Sequence, residues 1–245
     1  LFIKLMKLLI VIPAHNEEKI IANTVDRVIS FMKKQKGYSW HLMIAENGSK
    51  DASIKILKRL SKKYPKKIFS FDSLPVRSKS DAIKRAWLSQ DADIYMHMDA
   101  DLSTDIRHIL ELIGGIKEGY DLVIGSRALK ESEVERSMQR TLLSLVYNIL
   151  LRTLYSLNVK DSQCGFKAMN KKTLEKVVKQ TRYLAEGFMD TEMLILAANK
   201  GFRIKEIPIK WGDKRKSKFN MALVTVRFVS NLIRVKRDLI LGRYK

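Results

Sequence analysis

The run Ile94-Tyr95-Met96-His97-Met98-Asp99-Ala100-Asp101-Leu102-Ser103 decides how the chain folds. Ile94 to Met98 is apolar apart from His97, so it can run inside a sheet, with His97 a structural residue of the strand. Asp99 and Asp101 then project from the strand's C-terminal end, the edge at which open α/β sheets bind ligands. Carboxylates at i and i+2 suit a hard divalent cation, which takes oxygen ligands and shares them with phosphates. Aspartates at such a place also serve as turn formers and helix caps. The flanking sequence has to separate these readings.

Upstream, Leu8 to Ile12 is a short β-branched run stopped by Pro13. Asn16 follows, placed to cap a helix opened by Glu17 and Glu18, with Ile21, Val25, Val28 and Met32 at helical spacing and His15 as a pocket wall. Trp40 to Ala45 is a second strand, ending at Glu46-Asn47-Gly48-Ser49, and Asp51 starts the next helix. Lys67 to Phe71 is a third strand, followed by a polar loop with Arg77 and Lys79 and a helix through Trp87 capped by Ser80 or Asp81. Downstream, Asp105 opens a helix through Lys117, and Tyr120 to Gly125 is a strand ending at Ser126-Arg127. Repeated β-α units with short connections imply an α/β fold: a mostly parallel sheet with helices on both faces. The polar strand ends should gather along one edge. No P-loop and no Gly-x-Gly-x-x-Gly follows the first strand, which removes support for P-loop and common dinucleotide sites.

The second half breaks the rhythm. Thr141 to Leu157 is apolar except for a narrow stripe of Thr141, Ser144, Asn148, Arg152 and Ser156. Such a helix is either deeply packed or seated at a membrane interface. Asp161 to Phe166 reads as a polar turn before a short strand near Lys167 to Met169. Phe188 to Asn199 reads as a helix with Asp190 and Glu192 in its first turn, Ile204 to Trp211 as a strand, and Gly212 to Lys218 as an intensely basic run. Phe219 to Leu241 is a second basic amphipathic helix, with Phe228, Leu232 and Val235 on one face and Arg227, Asn231, Arg234 and Asp238 opposite. It either lies on a membrane or packs against protein. We therefore expect a catalytic unit over residues 1–218, including an amphipathic helix over 136–157, and a C-terminal basic amphipathic helix over 219–245.

With 245 residues the chain is long enough to bury a sizeable core, and a hydrophobic fraction of 46% fits a folded protein. The net charge of +21 implies an anionic partner: nucleic acid, a phosphorylated small molecule or an acidic membrane surface. Much of the excess sits on helix faces, as with Lys33, Lys34 and Lys36, where it serves solubility or high-temperature adaptation. Aromatic residues do not interleave with the basic runs and no nucleic-acid-binding signature is visible, which argues against a nucleic-acid partner. The lone Cys164 excludes an intrachain disulfide and suits a reducing compartment. No stretch reaches the roughly 18 apolar residues of a membrane-spanning helix. Leu1 to Ile12 runs into Pro13 without a small-residue cleavage site, so it reads as strand rather than signal peptide, with Met6 a candidate start.

Val11-Ile12-Pro13-Ala14-His15-Asn16-Glu17-Glu18, Glu46-Asn47-Gly48-Ser49 with Asp51, Asp99-Ala100-Asp101 and Ile124-Gly125-Ser126-Arg127, in this order and spacing, resemble inverting GT-A glycosyltransferases of family 2. Asp161-Ser162-Gln163-Cys164-Gly165-Phe166-Lys167 and Phe188-Met189-Asp190-Thr191-Glu192 resemble the dolichyl-phosphate hexosyltransferase branch, the first of them most like dolichyl-phosphate glucosyltransferases. The resemblance implies a nucleotide-sugar donor, a polyprenyl-phosphate acceptor, a divalent metal (Mg2+ or Mn2+), and peripheral attachment to the cytoplasmic side of a membrane, with a homo-oligomer possible. It implies that Pro13, Ala14 and Glu17 shape the nucleotide pocket and that Glu46 stands where the family has a base-contacting Asp. Asp99 and Asp101 would address ribose, diphosphate and metal. Lys79 and Lys218 would add charge to the diphosphate, and Arg127, Arg140 and Ser144 would hold the acceptor phosphate. Asp190 and Glu192 would recognise sugar hydroxyls or support the metal from behind its ligands. Ser103 stands where relatives often have Gln, and the Gly usual before Ser217-Lys218 is missing. A lipid phosphate is already ionised near neutral pH, so positioning and charge stabilisation dominate over general-base catalysis. Glucose from UDP-glucose is the favoured donor. GDP-mannose as donor, or a saccharide acceptor served by a true general base, are the alternatives.

Overall fold

The computed structural model describes residues 5–135, 137–184, 187–212 and 221–244. The first half follows the expected rhythm: β1 (Met6–Ala14), α1 (Ile21–Lys33), β2 (Tyr38–Asn47), α2 (Ser53–Lys63), β3 (Phe69–Leu74), α3 (Lys79–Leu88), β4 (Ile94–His97), α4 (Ile109–Lys117) and β5 (Leu122–Ser126). The chain continues through β6 (Glu133–Glu135), α5 (Met138–Tyr155), β7 (Lys167–Asn170), α6 (Lys171–Lys176), α7 (Met189–Asn199), β8 (Ile204–Pro208), β9 (Lys210–Gly212) and α8 (Met221–Ile240).

Seven strands form one sheet in the order β3-β2-β1-β4-β7-β5-β8. β1, β2, β3 and β4 are parallel, as are β5 and β8, while β7 runs antiparallel to both β4 and β5. The sheet is therefore mixed. A strand from the second half of the chain is wedged into its centre, Ala168 lying opposite both Met96 and Val123. Successive side chains of a strand point to opposite faces, and the two cores divide accordingly. Leu9, Val11, Met43 and Tyr95 pack with Ile83 and Trp87 of α3, Leu194 of α7 and Phe228 and Leu232 of α8. Leu8, Ile10, Ile12 and Leu42 pack with Val25 of α1, Leu57 of α2 and Leu112 of α4. Buried on both faces, these strands read as unbroken apolar runs.

Several local expectations are corrected. β1 continues through Pro13, which pairs with Ala45. The Val11 carbonyl accepts from Met98 on the β4 side, and Pro13, two residues on, faces the same side beyond the last β4 pair, Val11 with His97. The missing amide hydrogen thus costs no ladder bond. Asn16 does not cap α1: it sits in the left-handed region at φ 55°, gives its amide to Ser49 Oγ at 2.9 Å and accepts the Lys50 amide at 2.8 Å. It clamps the loop after β1 to the loop after β2. The cap of α3 is Ser78, whose hydroxyl oxygen accepts the Asp81 amide.

Only the middle of the polar stripe of α5 turns inward, while Thr141 and Arg152 stay exposed. Tyr147, Asn148 and Leu151 are buried and Ser144 is half-buried, whereas Leu142, Leu145, Val146 and Ile149 are 61%, 53%, 59% and 50% exposed. The reason is hydrogen bonding: Asn148 Oδ1 accepts the Ser162 amide at 3.1 Å and its hydroxyl at 2.7 Å, and Tyr147 Oη donates to Thr191 at 3.1 Å. On α8, Phe228, Leu232 and Val235 are buried as expected, but so are Asn231 and Asp238 from the face expected to be polar, while Ile233 and Ile240 are 65% and 76% exposed. Asp238 is held by Tyr183, Arg237 and Arg243. Among the described residues no helix is long and apolar enough to cross a membrane. Replacing Asn148 with Ala leaves the buried Ser162 amide without its acceptor, and urea unfolding should show a loss of about 1–3 kcal/mol.

Candidate active site

The C-terminal ends of β1, β2, β4 and β5 meet on one edge. At the β1–β2 corner, Asn47 Nδ2 donates to the Ala14 carbonyl at 3.0 Å, His15 Nδ1 donates to the Asn47 carbonyl at 2.8 Å, and the Glu17 amide donates to Ser53 Oγ at 2.8 Å. Pro13 and Ala14 are buried in this corner. Glu46 is fully buried, its carboxylate accepting the Ser49 amide at 2.5 Å and the Ser73 hydroxyl. Both oxygens are thus engaged by the protein itself. Gly48, at φ +71°, lets the Val76-Arg77 backbone lie directly on it: a Cβ there would meet Arg77 N at 2.9 Å. The loop after β3 closes over the end of β2 by this contact.

Asp99 and Asp101 leave β4 in a tight turn. Leu102 adopts a left-handed φ of 51°, an unfavourable conformation for a branched side chain, and Asp101 Oδ1 accepts the Ser103 amide at 3.0 Å. Asp99 Oδ1 meets Lys79 Nζ at 2.7 Å. On the other side of Asp99 lies Gly165, where a Cβ would fall 2.9 Å from Cγ and closer still to Oδ2. Burial pulls the Lys79 ammonium down, but Asp99, then Asp190 and Asp101, outweigh it and its pKa is raised. Burial pushes Asp99 up, and Lys79 outweighs that, leaving it below the ordinary carboxylate value. At neutral pH both are charged.

Asp190, in the first turn of α7, lies behind this pair. Its Oδ1 is 3.2 Å from Lys167 Nζ and 3.4 Å from His97 Nε2, near in charge but not aligned as hydrogen bonds. Lys167 is buried and donates to the Cys164 carbonyl. Burial lowers His97 to about 4, so its ring is neutral, edge-on to Trp87 with centroids 5.4 Å apart. Glu192, expected to share the role of Asp190, does not. It is fully buried and accepts the Arg182 and Tyr183 amides and the Tyr244 hydroxyl, each at 2.8 Å, so it staples two chain segments together.

Arg127 forms a two-pronged pair with Asp161, Nε to Oδ2 at 2.7 Å and Nη2 to Oδ1 at 2.8 Å, and its guanidinium lies 5.4 Å from the Trp211 ring centroid. Asp161 continues into Ser162, which is bonded to Asn148 one turn beyond Ser144 on α5. Arg140 lies in the first turn of α5, its side chain outside the described residues, and Lys218 also lies outside them. Asp161, Gly165 and Lys167 escaped the reading of individual residues, although charges flanking Cys164 and Phe166 ahead of a buried strand were a signal that they answer other charges.

The donor set suits a divalent cation that arrives with a phosphate ligand. Among the described residues no group of three or more His, Cys, Asp or Glu converges on one point. Two carboxylates completed by water and substrate phosphate are what Mg2+ commonly uses.

An open sheet with carboxylates at its ligand-binding edge and an antiparallel strand in its centre defines a GT-A-like α/β fold. Glucosyl-3-phosphoglycerate synthase from Mycobacterium tuberculosis, solved with UDP, superimposes with a TM-score of 0.69 at 19% identity, over 94% of this chain and 80% of that one. Another structure of that enzyme, at TM-score 0.67, holds Mn2+ with UDP. Glycosyltransferase AglD of Haloferax volcanii is 30% identical over 92% of this chain, which spans 36% of AglD's length. The dolichyl-phosphate beta-glucosyltransferase of Saccharomyces cerevisiae is 29% identical over 96% of this chain and 76% of its own. The pattern of glycosyl transferase family 2 matches residues 9–178, and the chain belongs to that family. It is a glycosyltransferase related to the dolichyl-phosphate beta-glucosyltransferases.

Burial raises the Asp161 carboxyl and Arg127 outweighs it, so its folded pKa lies below the ordinary 3.8. The stabilisation is complete above the unfolded value of about 4 and is lost as pH falls through the folded value. Asp161→Asn should cost about 3–5 kcal/mol at neutral pH by stranding Arg127. It should also flatten the acid limb of a urea-midpoint-versus-pH curve.

Proposed function

We propose that the protein transfers a hexose, glucose in preference to mannose, from a nucleoside-diphosphate sugar to a polyprenyl phosphate with inversion. The observation that carries this is the junction of two charge systems at the sheet edge. Lys79–Asp99 sits beside Arg127–Asp161, and Asp161 leads through Ser162 to α5, whose outer face is apolar. A donor diphosphate suits the first system, an anionic lipid head the second, and a lipid tail the apolar face.

In this reading Pro13, Ala14, Glu17 and Glu46 line the nucleotide pocket, Glu46 acting as the fixed wall to which Ser49 and Ser73 are bonded. Asp99 and Asp101 hold Mg2+ or Mn2+, which when bound supplies a Lewis acid to the departing diphosphate. Lys79, with Lys218, adds positive charge there. Arg127 offers the acceptor phosphate the edge not taken by Asp161, and Arg140 and Ser144 of α5 are assigned to the same phosphate. An Arg fork matches phosphate geometry. Asp190, 3.2 Å from Lys167, accepts a sugar hydroxyl and fixes the ring. The anomeric carbon loses its bond to the diphosphate oxygen and gains one to the acceptor phosphate oxygen from the opposite face. The acceptor is already an anion, so no residue has to take its proton.

The exposed apolar residues of α5 and α8, within residues 136–157 and 219–245, form the surface that lies on the membrane. The flanking lysines and arginines meet anionic head groups.

Incubating the chain with labelled UDP-glucose or GDP-mannose, a polyprenyl phosphate and Mn2+ should move label into the lipid phase, from UDP-glucose above all. Asp101→Ala should reduce transfer by about 100-fold or more with the circular dichroism spectrum unchanged. Label passing only to a water-soluble acceptor such as 3-phosphoglycerate, with none in lipid, would reject the lipid acceptor. In a separate vesicle sedimentation assay, the pair Leu145→Glu and Val146→Glu should release the protein from anionic vesicles without lowering its thermal midpoint.

A further inference from the structure

Lys79 is the first residue of α3, directly after the Ser78 cap. Its Nζ lies 2.7 Å from Asp99 Oδ1, and the two side chains are 40% and 41% exposed, so the pair opens onto the cleft. Asp99 has little other freedom, because Gly165 backs the carboxylate at a distance that admits no Cβ. Asp101, two residues on, has one oxygen turned to the Ser103 amide. The other charges facing Lys79 are those of Asp190 and Asp101. A divalent cation on Asp99 and an ammonium on the same oxygen cannot coexist at contact distance without strong repulsion. A lysine has a flexible stem and rotatable donors, so its head can change partners.

We propose that Lys79 is an internal counter-ion that couples cation and donor binding: it neutralises Asp99 until both arrive, then yields Asp99 to the cation and takes the donor's diphosphate. The inference rests on the reading of Asp99 and Asp101 as cation ligands. Its logic is a count of unpaired charges. A cation arriving alone displaces Lys79 and leaves the ammonium without its carboxylate. A diphosphate arriving alone draws Lys79 away and leaves Asp99 uncompensated. Arriving together they leave neither, since the cation sits on Asp99 and Asp101 and the ammonium on the diphosphate. Each ligand therefore tightens the other by the same factor, as linkage requires.

Mn2+ binding to the full chain, followed by the loss of the free-ion EPR signal with and without UDP, tests this. The affinity of Mn2+ for UDP in buffer is measured separately and subtracted. UDP should tighten Mn2+ on the wild-type protein by about 10-fold or more. In Lys79→Met, Mn2+ alone should bind about 3-fold to 10-fold tighter, UDP alone should bind more weakly, and the mutual tightening should shrink towards 1. Lys79→Arg keeps the charge and should keep most of the coupling. The inference is overturned if Lys79→Met leaves Mn2+ affinity unchanged or weaker while Asp101→Ala abolishes it. If Asp101→Ala binds Mn2+ like the wild type, the assignment of the cation ligands fails instead.

Discussion

Charge brought to the end of a buried sheet has to be balanced where it stands. Three carboxylates at this edge each have a cation within reach: Asp99 with Lys79, Asp161 with Arg127, Asp190 with Lys167. Such pairs add little net stability, because desolvation offsets the attraction, yet losing one partner strands the other at high cost. What they provide here is position. Asp161 fixes the direction of Arg127, and Lys167 stands 3.2 Å from Asp190 in the first turn of α7. The neutral His97 fills the space beneath them without adding charge.

One short run serves all of these pairs. From Asp161 to Lys167 the chain grips Arg127, ties itself to α5 through Ser162 and Asn148, backs Asp99 at Gly165 and reaches Asp190 with Lys167. It then enters the sheet as β7, between β4 and β5. The elements it touches come from both halves of the chain. The antiparallel wedge is therefore what joins the part that bears the Asp99–Asp101 turn to the part that bears α5 and α7.

Much of this was readable from the residues. Unbroken apolar runs at Leu8 to Ile12 and Ile94 to Met98 demand strands covered on both faces, and polar residues at their ends follow from the sheet edge. The motifs then identified the family. What periodicity does not carry is partner choice. Nothing in Lys167 to Asn170 states that the strand reverses or which neighbours it takes. The stripe on α5 does not reveal its partners either: Asn148 is polar in order to satisfy a buried Ser162. Glu192 shares a helical turn with Asp190 but faces the Arg182 and Tyr183 amides, a direction that depends on a loop closing from elsewhere. Asn16 has the composition of a cap and is used as a clamp, because the left-handed backbone there points it at Ser49.

The place of β7 also bears on the order in which the protein comes into being. β1 to β4 all lie within the first 97 residues and leave the ribosome before β7 is made. The pairing of β4 with β7 must wait for α4, β5, β6 and α5 to be made. Until then one flank of β4 is an unpaired edge and Asp99 has no wall behind it. The Asp99–Asp101 turn is thus completed only when the last third of the chain has been made, and a nascent chain halted before Lys167 lacks the strand that covers the flank of β4.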